Sequence, residues 1–168
     1  MDVATLLTEV YGRIPPLAER AVAGVPADRL AEPPGPGRNS IGWLVWHLAR
    51  VQDSHVAELI PADQLWATGP WAERMGLPPD PRDTGYAHRP DQVAAVRPPD
   101  GGVLLDYLAA VAERTAGYLA GLTADDLDRV VDRRWDPPVT LGVRLVSVAD
   151  DCLQHAGQAA YVRGLIGA

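Results

Sequence analysis

Between Leu141 and Ile166 the residues Leu141, Leu145, Val148, Cys152, His155, Ala159, Val162 and Ile166 follow a strict alternation of four- and three-residue steps. That spacing is the seam of a bundle helix. A strand places every second residue on one face and cannot present it. Pro137 and Pro138 precede the run, and Thr140 is positioned to cap the first turn. A seam of this length has to be covered by other helices, so the rest of the chain is read for them.

Three further segments carry the same kind of period. From about Asp2 to Ala23, Val3, Leu6, Leu7, Val10, Ile14 and Leu17 fall on one face, with Pro15 and Pro16 predicting a kink or interruption. After the Pro33 to Gly37 loop, Asn39 or Ser40 is placed to cap a helix from about Ile41 to Ile60, whose apolar face uses Ile41, Leu44, Leu48, Val51 and Leu59. A third helix is predicted from about Val103 to Ala120, followed by a short capped turn at Thr123 to Val131. Between Pro61 and Gly102 seven prolines exclude a long helix, although a short turn fits Gln92 to Val96. Loops this long inside compact domains tend to be lids or crossovers, and Trp66, Trp71, Leu77 and Tyr86 predict that it packs onto the body. No run alternates long enough to argue a sheet. The expected fold is an all-α four-helix bundle with a long crossover between helices two and three, in one domain over residues 1–168.

Composition narrows the partners. Fifteen basic residues, all Arg, against twenty-two acidic ones give a net charge of −7, which disfavours nucleic acid and anionic membrane surfaces. The most apolar stretch, Ile41 to Val51, is interrupted by His47 and Arg50 and falls far short of the roughly 20 residues of a spanning helix. One cysteine cannot form an internal disulfide, and the N-terminus lacks the basic and apolar regions of a secretory signal. A soluble cytoplasmic protein is the expectation.

His155 occupies a seam position where Leu or Ala would be ordinary. At about 100° per residue Asp151 lies about 40° round the axis and one turn earlier, so the two side chains can converge. Asp150 is about 140° away and faces elsewhere, while Ser147 and Gln158 extend the polar column. Carboxylate and imidazole at i and i+4 supply two ligands for a first-row metal. The third is expected from helix two, at His47 in its strongly apolar stretch, in preference to His55 about 12 Å further along the axis. The alternative is that Asp151 and His155 are core groups that only satisfy each other. Cys152 reads as packing, His88 as an exposed loop residue, and the tryptophans as core or loop anchors, with Trp66 and Trp71 able to wall a pocket. Neither a phosphate-binding glycine fingerprint nor a Gly-x-Ser-x-Gly elbow occurs, and the absence of Glu-x-x-His disfavours a di-iron bundle.

The segments Gly42-Trp-Leu-Val-Trp-His-Leu-Ala-Arg50 and Asp150-Asp-Cys-Leu-Gln-His-Ala-Gly-Gln158 resemble the DinB/YfiT-like metalloenzyme superfamily, which includes mycothiol- and bacillithiol-dependent S-transferases. Trp135-Asp-Pro-Pro-Val-Thr-Leu-Gly-Val-Arg144 is similar to the branch found in mycothiol-using bacteria. The resemblance covers nearly the whole chain. It implies that His47 and His155 match the first and last ligands of a divalent metal, with Asp151 standing where the family has a second His of a His-x-x-x-His pair. A carboxylate there keeps an oxygen ligand and adds a negative charge, so the metal (Zn, Ni, Fe or Mn) need not be that of three-His members. Two His and a carboxylate also resemble the non-haem iron facial triad, normally built on a β-barrel that nothing here predicts.

The function implied is a metal-dependent S-transferase in which the cation activates a small-molecule thiol, mycothiol or similar, for attack on an electrophile. The competing reading is a non-catalytic, stress-associated or small-ligand-binding bundle. A homodimer is expected from the fold class alone.

Overall fold

The computed structural model describes residues 1–168. Its first helical segment is broken in two, α1 (Val3–Gly12) and α2 (Ile14–Val22). The break falls at Arg13 because Pro15 and Pro16 lack the N–H groups to continue a helix yet fit the first turn of a new one. A short α3 (Ala27–Leu30) leads into α4 (Ile41–Ala57), where Ser40 accepts the Trp43 N–H as N-cap.

From Ile41 to Arg50 every residue of α4 is buried, so it has no polar face in its first three turns. Helix α8 (Gly101–Leu119), capped by Asp100, lies against it, as does α9 (Leu141–Ile166), capped by Thr140 as expected. The seam is as read: Leu141, Leu145, Val148, Cys152, Ala159 and Val162 are buried. Polar bonds tie the layers together: Tyr11 Oη donates to the Leu145 carbonyl at 2.8 Å, and Gln52 Nε2 to Thr115 Oγ1 at 2.8 Å. Four helical layers, α1 with α2, α4, α8 and α9, make the predicted all-α bundle.

The crossover is more ordered than its prolines suggest. It holds α5 (Leu65–Thr68), α6 (Trp71–Met75) and α7 (Pro90–Ala95), of which only the last was foreshadowed. Trp66 is in the core, whereas Tyr86 is 88% exposed and does not help the segment to pack. A small antiparallel ribbon, β1 (Val130–Asp132) and β2 (Val139–Thr140), precedes α9. It is too short to leave an alternating signature in the sequence.

What pins the crossover is a buried ion pair. Arg50 donates to the carbonyls of Pro81 and Asp83 and to Gln64 Oε1, at 2.9–3.2 Å. Asp53, one turn on, accepts the N–H groups of Leu65 and Trp66 at the start of α5, and the Tyr107 hydroxyl. The Arg50 and Asp53 side chains are fully buried 3.5 Å apart, and the guanidinium lies over the Trp66 ring. No helix is long and apolar enough to cross a membrane.

Candidate metal centre

α4 and α9 pack side by side, and their contact brings His47 next to Asp151 and His155. One ligand atom from each lies within 4.8 Å of the others. Neighbouring ligands of a tetrahedral ion are roughly 3.4 Å apart at bond lengths of 2.0–2.2 Å. Closing the set around one ion asks the ligand atoms to approach by at most about 1.4 Å. His55, the competitor, is not part of the set; its Nδ1 accepts from Arg144 Nη1 at 3.0 Å. Asp150 is exposed and accepts from Gln154, as its angular position requires.

The hydrogen bonds around the imidazoles aim them. His47 Nδ1 lies 2.5 Å from the Thr84 carbonyl, which can only accept, so Nδ1 carries the proton and Nε2 keeps its lone pair. His155 Nδ1 makes the equivalent contact with Gln158 Oε1 at 2.9 Å. Both rings thus present Nε2 as a ligand, with the outer nitrogen held by an oxygen, which is the usual support of a metal-binding His. Burial holds the pKa of His47 below its ordinary value, with the Thr84 carbonyl opposing the shift in part. Burial acts in the same direction on His155, but the Asp151 carboxylate and Gln158 outweigh it and raise its pKa.

Asp151 and His155 satisfy each other only in part. His155 Nε2 and Asp151 Oδ1 are 3.5 Å apart, too long for a good hydrogen bond. Asp151 Oδ2 is buried with no partner; the only other such side-chain atom is Trp46 Nε1. The Asp151 side chain as a whole is 34% exposed, but this one carboxylate oxygen has neither solvent nor a donor, a position a cation would relieve. Two free imidazole nitrogens and a carboxylate oxygen within 4.8 Å of one another fit a divalent cation. Three protein ligands leave at least one coordination position open.

Several supporting residues escaped the sequence reading. Trp43, one turn before His47, stacks on its ring at 4.6 Å between centroids and 17° between planes. Helical i,i+4 spacing was the available signal. Trp43 Nε1 donates to His88 Nδ1 at 3.1 Å, and His88 Nε2 donates to Asp83 Oδ1 at 2.8 Å. The His88 side chain is only 8% exposed, which corrects its reading as a surface residue; proline content says where a helix cannot run, not what a loop covers. Gly85 lies over His47 with φ +90°, and a Cβ there would sit 2.8 Å from His47 Nδ1. The crossover therefore reaches the site through Thr84, Gly85 and His88, not through tryptophans: Trp66 stacks in the core and Trp71 against Tyr107. Nothing local in the sequence marks Thr84, which acts through its backbone.

Cys152 is fully buried, its thiol directed at the Leu48 carbonyl 3.4 Å away, and burial raises its pKa far above the ordinary thiol range. A cleft of about 380 Å³ opens beside Asp151, with Val51, Val148 and Trp135 among its walls.

A helical bundle in which two His and one carboxylate converge between two long helices presents a possible metal site. The chain belongs to the DinB superfamily, whose family model matches residues 12–159. It is similar over its full length to the crystal structure of a conserved protein from Enterococcus faecalis, with 37% identity, 99% of that chain covered and a TM-score of 0.91. Among curated proteins none matches.

Proposed function

We propose that the protein is a metal-dependent thiol S-transferase in which His47, Asp151 and His155 hold a divalent cation. The observation that carries the metal reading is the set of one ligand atom each from His47, Asp151 and His155 within 4.8 Å of one another, with the outer imidazole nitrogens already held and Asp151 Oδ2 left without a partner. A divalent ion with an open position acts as a Lewis acid that lowers the pKa of an incoming thiol, giving thiolate at neutral pH.

The chain's own residues do the rest. Thr84 and Gln158 fix the tautomers, and the Trp43 ring and the Thr84–Gly85 backbone close the His47 side against water. The cleft beside Asp151 admits a thiol and an electrophile. The thiol proton leaves to solvent, a new S–C bond forms, and the leaving group departs with its bonding pair. Cys152 takes no part, since a buried thiol of raised pKa supplies no thiolate at neutral pH. That supports a sulfur brought in by a small molecule such as mycothiol. The same reading places the protein in the cytoplasm, where such thiols are found, and the bundle class suggests a homodimer.

Elemental analysis of the purified protein tests the centre, with about one divalent ion per chain expected and most of it lost in His155→Ala. Full occupancy in that variant refutes the site. Transfer is tested separately with metal-loaded protein, mycothiol and a panel of electrophiles, where an absence of metal-dependent conjugation across the panel counts against it.

A further inference from the structure

The cleft beside Asp151 has a second chemical character at its other end. Arg134 and Arg144 both line it, together with His55. Two guanidiniums converging on one cleft are unexpected in a chain of net charge −7. They share a carboxylate: Asp132 accepts from Arg134 Nη2 at 2.8 Å and from Arg144 Nη2 at 3.1 Å. Glu58, which lies outside the cleft lining, takes Arg144 Nη1 at 2.5 Å.

We infer that this end of the cleft is a carboxylate-binding subsite, in which Arg134 and Arg144 hold an acidic group of a ligand whose other end reaches the His47, Asp151 and His155 centre. The inference rests on the proposed metal centre and names the class of molecule it would take.

Charge and donor geometry support it. Counting Arg134, Arg144, Asp132, Glu58 and Asp151, the groups around the cleft sum to one negative charge, and a divalent ion at the triad turns that into one positive charge. The subsite is therefore attractive to an anion only when the centre is loaded. Donors remain free for it. Arg134 Nη1 makes no hydrogen bond within the protein, its Nε and Nη2 being used on Asp132. Since Arg144 can only donate, its contact with His55 Nδ1 leaves the His55 proton on Nε2, a further donor. With the paired N–H edge of Arg134 held by Asp132 and Arg144 shared among Asp132, Glu58 and His55, the ligand carboxylate is taken by Arg134 Nη1 and His55 Nε2, with Arg144 adding its charge. A volume of about 380 Å³ is in the range of small-ligand sites.

The carboxylate can belong to the thiol or to the electrophile. Cobalt-loaded protein is titrated with 3-mercaptopropionate and with 2-mercaptoethanol, following the sulfur-to-cobalt charge-transfer absorption, and with succinate by calorimetry. A preference of about tenfold or more for 3-mercaptopropionate assigns the carboxylate to the thiol. Equal thiol affinities, with succinate binding alongside saturating 2-mercaptoethanol, assign it to the electrophile. In either case Arg134→Gln abolishes most of the effect, and metal-free protein does not bind succinate. Arg134 is 76% exposed, so this variant spares the fold; Arg144, only 7% exposed, is tested as Arg144→Lys. The subsite is overturned if there is neither a thiol preference nor succinate binding, or if both arginine variants leave them unchanged. Failure of the thiol reading looks different: no charge-transfer band forms with either thiol, and succinate alone then decides the subsite.

Discussion

Gly85 carries a burden that can be measured. At φ +90° a side chain is strained, at a cost on the order of 1–3 kcal/mol. Its Cβ would also stand 2.8 Å from His47 Nδ1 and 2.9 Å from the Trp46 ring, both on the buried face of α4. Ordinary contact needs 3.4 Å, so the loop must retreat by 3.4 − 2.8 = 0.6 Å. A retreat of that size can stretch the His47 Nδ1 to Thr84 carbonyl bond from 2.5 Å to about 3.1 Å, the long side of the ordinary range, which weakens it without breaking it. Loss of an outer hydrogen bond to a ligating His typically weakens metal binding about 10–100-fold. Gly85→Ala, which weakens that bond rather than removing it, is therefore expected to lower zinc affinity by about tenfold, the lower end of that range, measured by competition with a chromogenic chelator. Gly76→Ala is the control: φ is +65° there and nothing lies within 4 Å of the added methyl, so it bears strain without touching the centre. An affinity within about threefold of wild type in Gly85→Ala, or an equal loss in Gly76→Ala, refutes the idea that this loop aims His47.

Metal should stabilise the fold by mass action. At a free concentration 100 times Kd the gain is about 2.7 kcal/mol, or a rise in Tm of about 5–10 °C for a chain of this size, absent in His155→Ala. Arg50→Met leaves the Asp53 carboxylate buried beside an apolar chain. Urea unfolding should show a loss of about 3 kcal/mol, at the lower end for such pairs because Tyr107, two backbone N–H groups and Arg114 at 3.8 Å still hold Asp53; a loss under about 1 kcal/mol contradicts the role given to the pair. Cys152 should resist iodoacetamide in the native protein at pH 8.5 and react once the chain is unfolded. Its raised pKa favours the thiol form in the folded state, so its contribution to stability declines as pH climbs through the unfolded value near 9.0.

The sequence by itself determined the long helices of the bundle and half of the centre. Periodicity places Leu141, Leu145, Val148 and Cys152 on one buried face because each helical turn returns a side chain to the same side, and local capping chemistry at Ser40 and Thr140 sets where α4 and α9 begin. The convergence of Asp151 with His155 is likewise a property of one helix. That His47 joins them is an inter-helix fact, legible in the sequence only through the choice of an apolar stretch and the family resemblance. Tertiary structure alone decided how the crossover closes on the site. Arg50 was read as an interruption of an apolar run, yet it fixes Pro81 and Asp83 and so delivers the Thr84 carbonyl to His47. It alone also put His88 under Trp43, and Arg134 and Arg144 at the end of the cleft. The reason is physical: those contacts run between a backbone carbonyl or a charged side chain and a partner tens of residues away, and neither end leaves a period, a spacing or a composition in the chain that would announce the other.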